Sequence, residues 1–444
     1  MDLLLSVFEA YPVLISAIIL GGVTVVPYLL YEKHKSKKVL EAIDKAKRLG
    51  LWEPVTMHPK VNRNICIGSG ACVSACPEGK ILGLVDNKSM TVCASECVGH
   101  GACARACPVG AIELVFGTER RGVDIPQVYP NFETNVKRLF IAGELGGMGL
   151  IRNSVTQGKE AVGYITAALK ETPYKAQGVI DLLIVGAGPA GLSATLMAKK
   201  ERLNSITIER EEEAGGAILS YPRAKVVMTT PADLPLYGKV MKKDISKEEL
   251  MSLWQDITVK TGIDISTKEA MVSSESKGDY FEVKTTKRTI LTRYLLLSIG
   301  RRGSPRKLDV PGERSPLVMY RLLEPERYAD MNVLVVGGGD SALESAMALA
   351  HSNANVTLSY RGDAFSRAKS LNRSRLEVMA EKGKIDVLYK SNVMKFDGNT
   401  VHINHDGQTI QREIDFAFVL AGGVAPNDFL KKAGVIVETK FGTR

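Results

Sequence analysis

Asp181-Leu-Leu-Ile-Val-Gly186-Ala-Gly188-Pro-Ala-Gly191-Leu-Ser-Ala194 joins a buried-strand run to a helix-forming stretch through a G-x-G-x-x-G turn. In such a turn the first glycine permits the tight bend. The second lets the backbone approach a pyrophosphate, and the third lets helix and strand pack closely. The next strand, Ser205-Ile-Thr-Ile-Glu209, ends about 20 residues on in an acid placed for a ribose hydroxyl. The pair Gly215-Gly216 follows. Strand, glycine turn, helix and acid together predict a parallel α/β unit that binds a dinucleotide at a helix N-terminus.

A second fingerprint, of the form G-x-G-x-x-A, lies in Asn332-Val-Leu-Val-Val-Gly337-Gly-Gly339-Asp-Ser-Ala342-Leu-Glu344. Its following strand, Asn355-Val-Thr-Leu-Ser-Tyr360, ends without an acid and continues into Arg361 and, further on, Arg367. Loss of the carboxylate with gain of arginines suits a 2′-phosphate, which favours NADPH over NADH as the nucleotide here.

All seven cysteines lie between Cys66 and Cys107, a clustering that fits a metal module in a reducing compartment rather than a spread disulfide framework. Two segments repeat one another: Cys66-Ile-Gly-Ser69-Gly-Ala-Cys72-Val-Ser-Ala-Cys76-Pro77 and Cys97-Val-Gly-His100-Gly-Ala-Cys103-Ala-Arg-Ala-Cys107-Pro108. Both follow C-x₂-C-x₂-C-x₃-C-P except at the second position, where Ser69 and His100 replace cysteine. The repeat resembles a two-cluster ferredoxin domain, over residues 57–116. The resemblance implies a cross-over of ligands: Cys66, Cys72 and Cys107 with Ser69 at one cluster, and Cys97, Cys103 and Cys76 with His100 at the other. Cys93 could take the place of His100. Ligation by serine or histidine, a three-iron cluster and a corner open to substrate all remain compatible with the residues, so the clusters are expected as 4Fe-4S or 3Fe-4S. A zinc knuckle would be spaced differently.

At 444 residues the chain has room for about three domains. The net charge of +9 arises partly from Lys33, Lys35, Lys37 and Lys38 and otherwise from scattered residues. No basic tract interleaved with aromatics argues for nucleic acid. Ala10 to Tyr31 lacks charge and is mostly aliphatic, with Tyr11, Tyr28 and Tyr31 near its ends. About 20 such residues can cross a ~30 Å hydrocarbon core, and lysines after the run would face the cytoplasm. The expectation is therefore a single-pass anchor in the inner (cytoplasmic) membrane, with a signal peptide or a buried core helix as alternatives. Asp2 and Glu9 before the run speak against the signal peptide. Residues 36–50 read as a short amphipathic helix ended by Gly50.

Residues 179–444 resemble the low-molecular-weight thioredoxin reductase superfamily, including its thiol-reductase and ferredoxin–NADP reductase relatives. The resemblance implies FAD at the first fingerprint (Gly186, Gly188, Gly191, Glu209, Gly215, Gly216). It implies a pyridine nucleotide at Gly337, Gly339, Ala342 and Glu344, with Arg361 and Arg367 as phosphate clamp and Tyr360 where another arginine is usual. Ser298-Ile-Gly300 matches the strand leaving the FAD domain, and Ala421-Gly422-Gly423 the strand returning to it. Two departures stand out. Ser304 to Asp330 holds no cysteine, so the redox C-x-x-C is missing. The segment that closes the FAD site is also missing from the C-terminus, and its likeness stands upstream, with Gly143-Glu144 after the strand Leu139-Phe-Ile and Gln157 on a following helix. A circular permutation is implied.

The expected class is α/β, with two Rossmann-like domains for FAD and NADPH, a small ferredoxin-like α+β domain and one N-terminal transmembrane helix. The expected order is anchor 1–31, juxtamembrane linker 32–56, cluster domain 57–116, FAD-closing segment 117–172, FAD domain 173–302, nucleotide domain 303–420 and return segment 421–444. The expected function is electron transfer from NADPH through FAD to the clusters, or the reverse. The acceptor would be a quinone, a cytochrome or a ferredoxin, and a homodimer is compatible. A flavin-dependent reductase of a low-molecular-weight disulfide and a membrane-tethered redox sensor are the alternatives.

Overall fold

A computed structural model describes residues 12–443 apart from 49–51, 53, 55–56, 120–121, 148, 173–175, 222–225, 228–231, 242–244 and 302. The chain divides into two compact units, one built from residues up to 115 and the other from 116 onward with 54–57.

The first unit begins with helix α1 (Pro12–Arg48). Ser36, Ile43 and Ala46 share its buried face, at helical spacing. That face lies on a small hairpin of β2 (Leu82–Val85) and β3 (Lys88–Thr91), which follows β1 (His58–Val61) and the single turn α2 (Ala71–Ser74). The Ser36 hydroxyl accepts from Asp86 N at 3.0 Å, and a side chain at Gly83 would meet Val39 at 2.7 Å. After the hairpin come a second single turn, α3 (Ala102–Arg105), and β4 (Ile112–Val115), which pairs antiparallel with β1.

The expected transmembrane helix is not borne out. Among the described residues no helix is long and apolar enough to cross a membrane. The apolar run and the amphipathic segment after it form one continuous helix. Gly21, Gly22, Thr24 and Pro27 dilute the aliphatic side chains of the run, and the helix continues past Glu32 into a charged half. Residues 1–11, several side chains between 12 and 19, and Gly50 lie outside the described residues.

The second unit opens with β5 (Val123–Pro126), β6 (Leu139–Ile141) and the long helix α4 (Ile151–Glu171). Then come β7 (Val179–Val185), α5 (Pro189–Lys200), β8 (Ser205–Ile208), α6 (Lys247–Thr261), β9 (Met271–Ser276), β10 (Phe281–Thr285) and β11 (Thr289–Leu297). These strands form one sheet in the order β9-β10-β11-β7-β8. β6 adds in parallel to the C-terminal end of β11, Leu139 to Ile141 facing Leu295 to Leu297. Leu182 to Val185 of β7 and Tyr294 to Leu297 of β11 are buried apolar runs, as buried parallel strands show.

A second sheet is wholly parallel. It runs β12 (Val318–Met319), then β19 (Phe416–Val419), β13 (Asn332–Val336), β14 (Asn355–Ser359) and β15 (Ile385–Leu388). Helices α7 (Asp340–His351) and α8 (Ser370–Glu381) belong to it. An antiparallel sheet of β16 (Ser391–Asp397), β17 (Thr400–His405) and β18 (Gln408–Glu413) closes one side. Past α9 (Asn427–Lys432), the chain ends in β20 (Val437–Lys440), which pairs antiparallel with β5. Phe116 N donates to Thr443 O, and Gly442 N to Phe116 O.

Candidate functional site

The two cysteine runs take the same local shape. Gly70 and Gly101, each at φ 70°, turn the chain into α2 and α3, and each turn is followed by the cysteine that precedes proline. Cys66, Ser69, Cys72 and Cys107 line one recess together with Ser89 and apolar side chains such as Leu84 and Ile112. Cys76, Cys97 and Cys103 form the other set, close enough to act on one another electrostatically. Burial pushes the Cys97 thiol up to about 11, against the pull of the Gly99 N–H. Loading a metal there must displace a proton. Cys66, Cys72 and Cys107 thus share one recess, while Cys76 and Cys103 both act on Cys97.

Backbone donors point at the sulfurs: Ser89 N to Cys66 Sγ (3.4 Å), Gly99 N to Cys97 Sγ (3.4 Å) and Ala111 N to Cys107 Sγ (3.2 Å). Among the described residues no three His, Cys, Asp or Glu side chains converge tightly enough for a single ion. Thiols that line a common recess without meeting at one point suit a polynuclear iron–sulfur centre better than tetrahedral zinc. His100 Nε2 lies 3.8 Å from Glu78 Oε1. Cys93 is buried and packs with Ala46 of α1.

At the first fingerprint, Gly186 takes φ +99°, and a side chain there would strike Ser298 O at 2.7 Å. A Cβ at Gly191 would meet Gly186 O at 1.8 Å, which fixes the helix against the turn. Gly188 faces Gly216 so closely that a Cβ on Gly216 would sit 2.9 Å from the Gly188 Cα. Gly215 N donates to Ala187 O, so the loop of Gly215 and Gly216 is clasped to the turn. Glu209, 5% exposed, accepts from Ala187 N (2.7 Å) and Glu211 N (3.0 Å). This backbone cradle, bare of side chains, fits a pyrophosphate.

The upstream segment is built into the same place. Gly143 and Glu144 follow β6, and Gly143 N donates to Gln157 Oε1 of α4 at 2.8 Å. α4 lies against α5, where Ser193 Oγ donates to Val155 O (2.7 Å) and a Cβ on Gly158 would sit 2.1 Å from Ala190 O. Sequence reasoning missed Arg301, next to the hinge residues. It donates to Asp124 O at 3.2 Å, and burial lowers its pKa while Glu144 and Asp124 counter.

At the second fingerprint, Gly337 turns under Leu420 O, and Gly339 opens onto free space. Ala342 is buried. Asn372, also missed, donates to Asp340 Oδ1 (2.8 Å) and Glu344 Oε1 (3.0 Å) and so ties α8, which follows the loop after β14, to α7. Arg361 and Arg367 are exposed on that loop. The Tyr360 ring stacks on Phe365 and covers Gly338.

These features agree with what known proteins show. A family model described as pyridine nucleotide-disulphide oxidoreductase matches residues 183–442, and one described as a 4Fe-4S dicluster domain matches 58–108. A ferredoxin–NADP reductase from Ignicoccus hospitalis is 30% identical over 266 residues, 59% of this chain and 83% of that protein. The bacilliredoxin reductase Bdr of Bacillus subtilis is 27% identical over 267 residues, 59% of this chain and 82% of that protein. The solved bacillithiol disulfide reductase Bdr (YpdA) from Staphylococcus aureus superimposes with a TM-score of 0.53 at 25% identity, covering 58% of this chain and 81% of that one. FAD, a pyridine nucleotide and iron–sulfur clusters are accordingly its cofactors. With more than half its length in that match, the chain belongs to the pyridine nucleotide-disulphide oxidoreductase family, as an FAD- and NAD(P)-dependent oxidoreductase that also carries a 4Fe-4S dicluster domain.

Proposed function

We propose that the chain transfers electrons between NADPH and a one-electron acceptor by way of FAD and its clusters. FAD exchanges hydride with a nicotinamide and single electrons with iron–sulfur centres, and the protein supplies binding, orientation and electrostatics. The observation that carries the reading is the recess that Cys66, Cys72 and Cys107 line beside Ser69, in a chain that has no cysteine outside 66–107 to form a relay dithiol.

Each part of the chain has a share in this. Gly188 and Gly216 leave room for the pyrophosphate, and Glu209, already held by two backbone N–H groups, keeps acceptor capacity for a ribose hydroxyl. Gly143, Glu144 and Gln157 close the flavin side from β6 and α4. Gly337, Gly339, Ala342 and Glu344 form the nucleotide turn, with Arg361 and Arg367 for a 2′-phosphate. Cys76, Cys97 and Cys103 with His100 hold the second cluster. A quinone, a cytochrome or a ferredoxin is the acceptor class. The ferredoxin–NADP reductase relative supports the last of these.

Likeness to the Bdr proteins favours a second reading, direct reduction of a low-molecular-weight disulfide from the flavin. Protein with Cys66, Cys72, Cys97 and Cys103 replaced by serine separates the two. Cluster transfer predicts that NADPH oxidation coupled to cytochrome or quinone reduction is lost while flavin stays bound. Unchanged disulfide reduction by that variant, with no acceptor activity in the parent, supports the second reading.

A further inference from the structure

Each cluster site has three thiolates and one other corner, Ser69 or His100, so the thiolate charge of the two sites is matched. Potentials of iron–sulfur centres then depend on hydrogen bonds to sulfur, nearby charge and exposure. Here the two sites differ. Ser89 sits on β3, in the hairpin between the two cysteine runs, and is 1% exposed. Its N–H points at Cys66 Sγ (3.4 Å), and its hydroxyl lies 3.3 Å from Cys72 Sγ. Once Cys72 is a thiolate, that hydroxyl is the donor. One buried residue thus serves two of the three sulfurs, one of them through a hydroxyl, whereas the donors at Cys97 and Cys103 are backbone N–H groups.

Charge points the same way. The Lys88 ammonium, half-buried next to Ser89, donates to the Cys66 carbonyl. At the other site the nearby ion is negative: Glu78 acts on Cys97 and lies beside His100. Glu78 and Arg105, which approaches Gly101 in the second run, are both exposed and opposite in sign, where water and salt screen each, so Lys88 carries most of the charge difference.

The geometry points to an electron gradient inside the cluster domain: Ser89, helped by Lys88, holds the Cys66/Cys72/Cys107 cluster at a higher potential than the Cys97/Cys103/Cys76 cluster. Reduction adds one electron, hence one negative charge, to a cluster. A donor or cation at its sulfurs stabilises that reduced form, and a carboxylate opposes it. The second cluster is then the donor of the pair and the first its acceptor. Ser89 is a positioning residue in this scheme. The inference rests on both sites holding clusters, as in the proposed function.

The test is an EPR-monitored redox titration of the full-length protein with dithionite and mediators, which needs no NADPH and no flavin turnover. Iron and sulfide analysis first establishes that both sites are loaded, and Cys66→Ser assigns the first site's signal as the one it alters or removes. The parent is expected to show the first cluster reduced at the higher potential. Ser89→Ala should move that cluster alone to lower potential, by roughly a tenfold change in its oxidised-to-reduced ratio, or 59 mV for one electron. Ser89→Thr, which keeps the hydroxyl, should restore it. If Ser89→Ala fails to hold iron, Lys88→Gln and Glu78→Gln decide, the former lowering the first cluster and the latter raising the second. The inference is overturned if the second cluster has the higher potential in the parent. It is equally overturned if, with iron content intact, these variants move neither cluster or move both alike. NADPH failing to reduce two clusters ordered as described would instead count against the proposed function.

Discussion

Glu313 and Glu269 carry negative charge inside the second unit, and each is held there by donors. Glu313, 6% exposed, accepts from Leu308 N (2.7 Å), Asp309 N (2.7 Å) and the Tyr320 hydroxyl (2.8 Å). Burial alone would raise its pKa, but the donors outweigh burial and leave it below the ordinary 4.5. Glu269 behaves alike, with Ser266, Thr285 and Arg288 as donors. A depressed folded pKa gives stability that is present above the unfolded value and lost as pH falls through the folded one. Glu313→Gln should therefore cost about 1.5–3 kcal/mol near neutral pH, with the gap to the parent closing as pH falls below the ordinary carboxylate range. Denaturant melts across that range check it, and a gap that stays constant would contradict the assignment. At the nucleotide loop, replacing both Arg361 and Arg367 by alanine should raise KM for NADPH more than tenfold and change KM for NADH little, since only the former carries a 2′-phosphate. Steady-state assays with ferricyanide measure both. The glycines and cysteines of these sites are legible in sequence because their spacing is local. Ser89, Asn372 and Arg301 are not, because each acts on a partner in another segment. Arg301 and Asp124, for example, are 177 residues apart.

Between elements, the joints that matter are made by segments distant in the chain. α4 comes before β7 yet packs on α5 with Gly158 against Ala190 O. Gly158→Leu should cost about 1–3 kcal/mol through overpacking and lower the flavin-to-protein ratio of purified protein. Full flavin content with an unchanged Tm would show that this contact is dispensable. Asp124 ties the other joint: Thr439 Oγ1 and Asn427 Nδ2 donate to its carboxylate at 2.7 and 2.8 Å, and Arg301 to its carbonyl. Asp124→Ala should lower Tm by a few degrees, in line with about 1–2 kcal/mol for exposed polar contacts. The likeness of residues 139–162 to a flavin-closing motif made β6 and α4 readable in advance. Hydropathy located the apolar run near the N-terminus but not its fate. A window of aliphatic residues says nothing about whether the helix continues into a charged half, and α1 does continue, with Ile43 and Ala46 on its buried face.

At the level of the molecule, two nucleotide-binding sheets and a pair of cysteine sites are carried on one chain, and all its cysteines lie between residues 66 and 107. The central claim is that electrons entering as NADPH reach those clusters. The most direct measurement is low-temperature EPR, with iron and sulfide analysis, on anaerobic protein before and after NADPH is added. The account predicts about eight irons per flavin if both sites hold cubanes, and reduced-cluster signals that appear on NADPH addition. Protein that binds FAD and is reduced by NADPH at the flavin, yet holds no iron after anaerobic preparation or shows no cluster signal with its iron in place, would contradict it.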